Sequence, residues 1–208
     1  MTSRIRTTLT AALTVVGLAA GLRGAAPLAI ASEPVSEVHL DDPTGDVYAW
    51  PGQPPTGGRS VDLVATDIRR LEQRLVLRFT YDDLSRNGMR DWGVTFEIPR
   101  KHDHLYVTWT AGVDDQGTWS EYGWISRVDS ADEFPVRCPA LRGVADYGAD
   151  TLTVRLPQAC FPERGIVIEK LQAMGRRLDQ GTEPVDSPFG DLDDPSGTRT
   201  PRLMAPAS

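Results

Sequence analysis

The sequence predicts an all-β protein: a single antiparallel, jelly-roll-like β-sandwich of about eight or nine strands, closed by one disulfide. Three observations carry this. Apolar residues recur at every second position in segment after segment. Clusters of Gly, Pro, Asn and Asp separate those segments. No stretch shows the apolar period of a helix longer than two turns.

The clearest segment is Leu75, Leu77, Phe79 and Tyr81, alternating with Val76, Arg78 and Thr80. A period of two places one set against a core and the other toward water. Trp92, Val94, Phe96 and Ile98 repeat it, as do Leu105, Val107 and Trp109, and later Leu152, Val154 and Leu156. Val61–Ile68, Trp119–Val128 and Ile166–Met174 are strand candidates with less regular alternation. The turns between them are the polar stretch Arg69–Arg74, Ser85–Gly88, Pro99–Asp103, Asp114–Gly117 and Tyr147–Asp150. Trp50–Ser60 is rich in Pro and Gly and reads as a surface loop.

The N-terminus reads as a secretory signal over residues 1–31. Arg4 and Arg6 precede an uncharged run, Thr7–Leu22, and Ala29-Ile30-Ala31 offers a small-x-small cleavage site. The run is shorter than the roughly 20 residues that a spanning helix needs. The expected organisation is therefore a signal at 1–31, a sandwich at 32–198 and a loose tail at 199–208, with a secreted product and no transmembrane segment after cleavage. Removing the signal removes three arginines and no acid, so 22 basic and 29 acidic residues become a formal charge of −10. That balance argues against nucleic acid as a partner. It is compatible with cation binding.

Cys138 and Cys160 are the two cysteines, and export makes a structural disulfide the expected state. Folding Arg137–Asp146 and Thr151–Leu156 as a hairpin about Ala149 sets Asp146 against Leu152, Val144 against Val154 and Cys138 against Cys160. A bridge there would stabilise by roughly 3 kcal/mol.

Four constellations carry candidate chemistry. Asp41, Asp42 and Asp46 share one turn, and Asp191, Asp193 and Asp194 form a second acidic turn. Together they are a candidate calcium site, since calcium takes six to eight oxygens; the competing reading is solvated turn aspartates. His102 and His104 are two residues apart, which on a strand would put both imidazoles on one face. Only His39 remains as a third histidine, so zinc would be short of ligands. Trp50, Tyr122 and Trp124 are candidates for an exposed ligand platform, because aromatic faces stack on sugar rings. Trp92 and Trp109 fall on the apolar phase of their strands and read as core. Glu97, Glu121 and Glu169 lie in strands and are candidate paired carboxylates. No catalytic residue can be assigned: nucleophile-elbow, S-x-x-K and phosphate-loop motifs are absent.

Asp42-Pro43-Thr44-Gly45-Asp46, a Gly/Pro loop, Asp62–Ile68 and Leu75–Phe79 follow one another in an order that resembles the opening strands of carbohydrate-binding family 9-like and DOMON-like sandwiches. The chain also resembles a group of exported actinobacterial proteins, in which the later part is similar to Val154–Pro162, a strand ending in a Cys. The resemblance implies a jelly-roll-like sandwich and a non-catalytic binding role at the cell envelope. No position matches the axial Met and His of haem-binding members, so haem is not expected. The expected function is a secreted, non-catalytic domain for a small polar or carbohydrate ligand, with an extracellular glycan or envelope component as partner and calcium as the one candidate cofactor. The alternatives are a secreted hydrolase using carboxylates or a metal, and a structural envelope protein without a small ligand.

Overall fold

A computed structural model describes residues 36–47, 59–87, 89–114, 116–129, 132–177, 185–186, 200 and 202–204. The signal segment, Trp50 and Asp191, Asp193 and Asp194 lie outside the described residues. The strands are β1 (Glu37–Asp41), β2 (Leu63–Leu71), β3 (Arg74–Tyr81), β4 (Met89–Pro99), β5 (His104–Val113), β6 (Trp119–Asp129) and β7 (Asp132–Val136). They continue as β8 (Arg142–Asp146), β9 (Thr151–Pro157), β10 (Gly165–Ile166), β11 (Glu169–Arg177), β12 (Val185–Asp186) and β13 (Leu203–Met204). The only helical pieces among the described residues are two three-residue 3₁₀ turns, Arg59–Val61 and Gln158–Cys160.

Two antiparallel sheets form a sandwich that does not close into a barrel. One has the order β1-β2-β3-β9-β8, the other β12-β11-β4-β5-β6-β7. The period-two residues of the sequence are its core: Leu75, Leu77, Phe79, Trp92, Val94, Phe96, Ile98, Leu105, Val107, Leu152, Val154 and Leu156 are all buried. Trp92 joins the two layers. Its ring meets Tyr81 edge-on at 6.3 Å, Trp109 at 5.6 Å and Tyr147 edge-on at 6.0 Å, distances at which aromatic pairs attract.

The disulfide Cys138–Cys160 is present, with Cα atoms 5.6 Å apart. It is not a link between opposite strand positions. β8 begins only at Arg142, and Cys160 ends the second 3₁₀ turn. The β8–β9 register is also one residue from the expected one: Asp146 faces Thr151 and Val144 faces Thr153. The physical reason is Trp109. A Cβ at Gly143 would lie 2.0 Å from its indole, so the residue that faces inward opposite Val154 must be glycine. Val144 then points outward and is exposed. A one-residue slip exchanges the two faces of a strand, and the space under Trp109 decides which face is which.

Two further segments depart from expectation. Arg69–Arg74 is not a loop: β2 runs to Leu71, and only Glu72 and Gln73 make the turn to β3. Arg70 faces inward there, its guanidinium 4.7 Å from the Phe161 ring centre and its Nη1 donating to the Leu71 carbonyl at 2.6 Å. Polarity hid a core position. Likewise, Leu203 is buried and pairs through β13 with Ile166 of β10, and buried Thr200 accepts the Ile168 N–H. Thr200 and Leu203 are therefore docked, within a stretch that composition read as a loose tail.

Candidate functional site

The outward phase of the six-stranded sheet builds a groove. The register sets Met174, Gly93, Thr110 and Tyr122 side by side across β11, β4, β5 and β6, and sets Gln172, Thr95, Thr108 and Trp124 in the next row. Glycines at 93 and 112 keep the floor low, and the groove holds about 490 Å³. Tyr122 and Trp124 form one wall. They are i and i+2 on β6, so they share a face, and their rings stack at 5.7 Å with planes 24° apart. They are 57% and 45% exposed, the condition a stacking platform requires and a core aromatic does not meet.

The other side is polar. Arg176 on β11 grips Asp91 on β4, its Nε donating to the two carboxylate oxygens at 3.1 and 2.8 Å. This fork-to-carboxylate geometry holds both side chains in place. Thr110 Oγ1 donates to the Trp92 carbonyl at 3.0 Å, and Thr95 and Thr108 hydroxyls are bonded to each other at 3.0 Å. Arg90 stands at the rim. The groove thus pairs an apolar stacking wall with fixed polar groups, which is the usual composition of a small-molecule site.

Beyond this groove, on the same outward phase, Glu97 is 1% exposed. Lys170 Nζ pairs with Glu97 Oε2 at 2.9 Å, and His104 Nδ1 contacts Oε1. Burial pushes the Glu97 carboxyl up, but hydrogen bonds from Lys170 and Tyr106 and the Lys170 and His104 charges outweigh it and hold it below its ordinary value. Lys170 reaches Glu97 from a bulge, with a left-handed φ of 49° that is uncommon outside glycine. A carboxylate so fully paired is a poor proton donor at neutral pH.

No family model matches this chain, and no curated protein or solved structure matches it. The site must be read from its own geometry.

That geometry separates several residues that sequence alone grouped. Glu97 lies opposite Tyr106 and Glu121 opposite Ala111. Tyr106 and Ala111 are five residues apart on β5, an odd number, so Glu97 and Glu121 occupy opposite faces of the sheet. They cannot flank one glycosidic bond. Glu121 instead meets Arg86 and Tyr147, each at 3.5 Å. Glu169 sits opposite Glu97. His102 precedes β5 in a bend and His104 begins the strand, so the i, i+2 argument does not apply to them. His39 is in the other sheet, bonded to Asp67 at 2.6 Å and Asp41 at 3.0 Å. Among the described residues, no group of three or more His, Cys, Asp or Glu is arranged to hold a metal ion.

The first acidic turn is also divided. Asp41 is the exposed end of β1 and points to His39, whereas Asp42 is buried. Asp46 is beside Asp62, a residue the sequence did not single out. Asp62 is 1% exposed and accepts the Gly45 N–H at 2.7 Å. The remaining oxygen of Asp62 and one of Asp46 are buried without a hydrogen-bond partner. Burial raises both carboxyls, and the Asp46 and Asp82 charges push Asp62 higher still. Asp62 opens the segment before β2, and only the fold of the β1–β2 connection brings it to Asp46.

Of the groove residues, Tyr122 and Trp124 were legible as a shared strand face. Asp91, Thr108 and Thr110 also sit on the outward phase of their strands, a signal that was available. Arg176 and Met174 were not legible, because nothing local says that β11 lies beside β4.

Proposed function

We propose that this chain is a non-catalytic binding domain whose groove takes a polar, ring-bearing ligand, with carbohydrate as the favoured class. The exposed Tyr122–Trp124 stack facing a fixed Asp91–Arg176 pair is the observation that carries this reading. A pyranose can lay its CH face on the aromatic wall while its hydroxyls bond the polar wall. The resemblance to carbohydrate-binding sandwiches and the export signal point the same way. The decisive experiment is a glycan array followed by titration calorimetry on the best hit. Trp124→Ala should weaken binding by about 2 kcal/mol, roughly 30-fold, as loss of a central aromatic does. Its melting temperature should stay near that of the wild type, because Trp124 is half exposed. Absence of wild-type binding to any glycan would overturn the reading.

Calcium belongs to this proposal as a structural ion, now centred on Asp46 and Asp62 rather than Asp41. The two buried carboxyls give the test its sign. Their folded pKa values lie above the ordinary 3.8, so the folded protein holds these protons to higher pH than the unfolded chain does. Their contribution to stability should therefore fall as pH rises from about 3.8 through the raised values. In calcium-free buffer, Asp62→Asn should flatten that decline, read as melting temperature between pH 4 and 7. Millimolar calcium at pH 7 should raise the wild-type melting temperature and leave the Asn variant unchanged, since a ligand stabilises only the state that binds it. A wild type indifferent to calcium would remove the ion from the proposal.

A further inference from the structure

The outward face of the other sheet carries a feature independent of the groove. Arg155 on β9 lies directly opposite Arg142 on β8 and, on its other side, opposite Val76 of β3. Arg74 and Arg78 flank Val76 two positions away on the same face, so both are diagonal neighbours of Arg155. Four guanidinium groups thus surround one strand crossing, and all four residues are exposed. The chain as a whole is acidic, with a formal charge of −7. Like charges directly opposite one another destabilise a sheet, so this arrangement opposes folding unless something neutralises it.

Among the described residues, the nearby acids do not. Glu37 is taken by Arg69 at 2.8 Å, and Asp67, opposite Arg78, is held by His39 at 2.6 Å. Arg74, Arg142 and Arg155 line a cleft of about 510 Å³, where the carboxylate among the described lining residues is that of exposed Glu72. Arg142 is already positioned, its Nη1 donating to the Pro139 and Leu141 carbonyls at 2.7 and 2.8 Å. Its other donors are directed by that anchoring, and planar guanidinium forks suit oxyanions.

We propose that this face binds an anionic polysaccharide through its carboxylate or sulfate groups, with Arg74, Arg142 and Arg155 as the principal contacts. The surroundings favour that class. The outward residues of β1, β2, β3, β9 and β8 include no Phe, Tyr or Trp on which a nucleic-acid base could stack, and the one imidazole, His39, is held edge-on by hydrogen bonds to Asp67 and Asp41. Asp41 and Asp146 on the same face would be pressed against an anionic bilayer, whereas a polymer one chain wide can cross β3, β9 and β8 without meeting them.

The test uses the full chain and four probes at low salt: heparin, polygalacturonate, single-stranded DNA and phosphatidylserine vesicles. The wild type should bind the two polysaccharides, with affinity falling steeply as salt rises. Arg74→Ala with Arg155→Ala removes two side chains that hold no partner among the described residues and should weaken binding about tenfold or more per arginine. Lys101→Ala with Arg164→Ala removes the same charge elsewhere and should leave binding within about twofold. The Arg74/Arg155 pair, on the opposite sheet from Trp124, should leave binding of a neutral glycan in the groove unchanged, which separates this face from the groove. The proposal is overturned if neither polysaccharide binds, if the control pair loses as much as the Arg74/Arg155 pair, or if DNA or vesicles bind more tightly than both polysaccharides.

Discussion

Replacing Trp92 with Ala should remove about 3–5 kcal/mol of unfolding free energy, the range for deleting a large buried aromatic. Trp92 is 1% exposed and touches the rings of Tyr81, Trp109 and Tyr147. Tyr81 belongs to one sheet and Trp109 to the other, so the cavity would open between the layers, where neither strand can move in without breaking its ladder. For a chain of this size the melting temperature should drop by roughly 6–20 °C. Trp92→Phe should be milder, because it keeps a ring in place and removes an indole N–H that is buried without a partner. Urea titrations of the two variants check this: equal losses would mean that the ring contacts are not what joins the layers.

Converting Cys138 and Cys160 to Ser should lower stability by roughly 3 kcal/mol on the loop-entropy argument, with the bridge spanning 22 residues of sequence. The local consequence is more specific. The bridge fixes the turn from Cys138 to Leu141, whose buried Leu141 side chain packs close to Gly123, and β8 starts immediately afterwards. β8 is the edge of its sheet and only five residues long, so it has one strand partner to hold it. Hydrogen exchange in the double variant should therefore rise first in β8 and in the Cys138–Leu141 turn. Uniform loss of protection across both sheets would show that the bridge acts only on the unfolded chain.

The division of labour between local and long-range information is clearest at three places. β3, β4, β5 and β9 announce themselves because side chains alternate along any extended strand, so a buried face imprints period two on the sequence whatever its partners are. β2 was read as a strand only as far as Ile68 and not to Leu71, because the inward Arg70 breaks the alternation while Phe161, from a distant segment, supplies the face that tolerates it. The hairpin around Ala149 was visible, but its register was not: that depends on Trp109 of the opposing sheet occupying the space above Gly143.

The candidate site divides the same way. Tyr122 and Trp124 could be read as neighbours on one face because two positions on a strand fix their direction. Their opposite wall, Arg176 with Asp91, exists only because β11 pairs with β4 across 85 residues of chain. The arginine face has the same origin, since Arg74, Arg142 and Arg155 come from three strands joined by register alone. By itself, the sequence determined the strand class, the core residues of the regular strands and the identity of the two bridged cysteines. Tertiary structure decided which carboxylates meet, which histidines part and which surfaces form a groove or a charged face. The physical reason is that alternation is a property of one strand, whereas pairing and register are chosen by the packing of all of them.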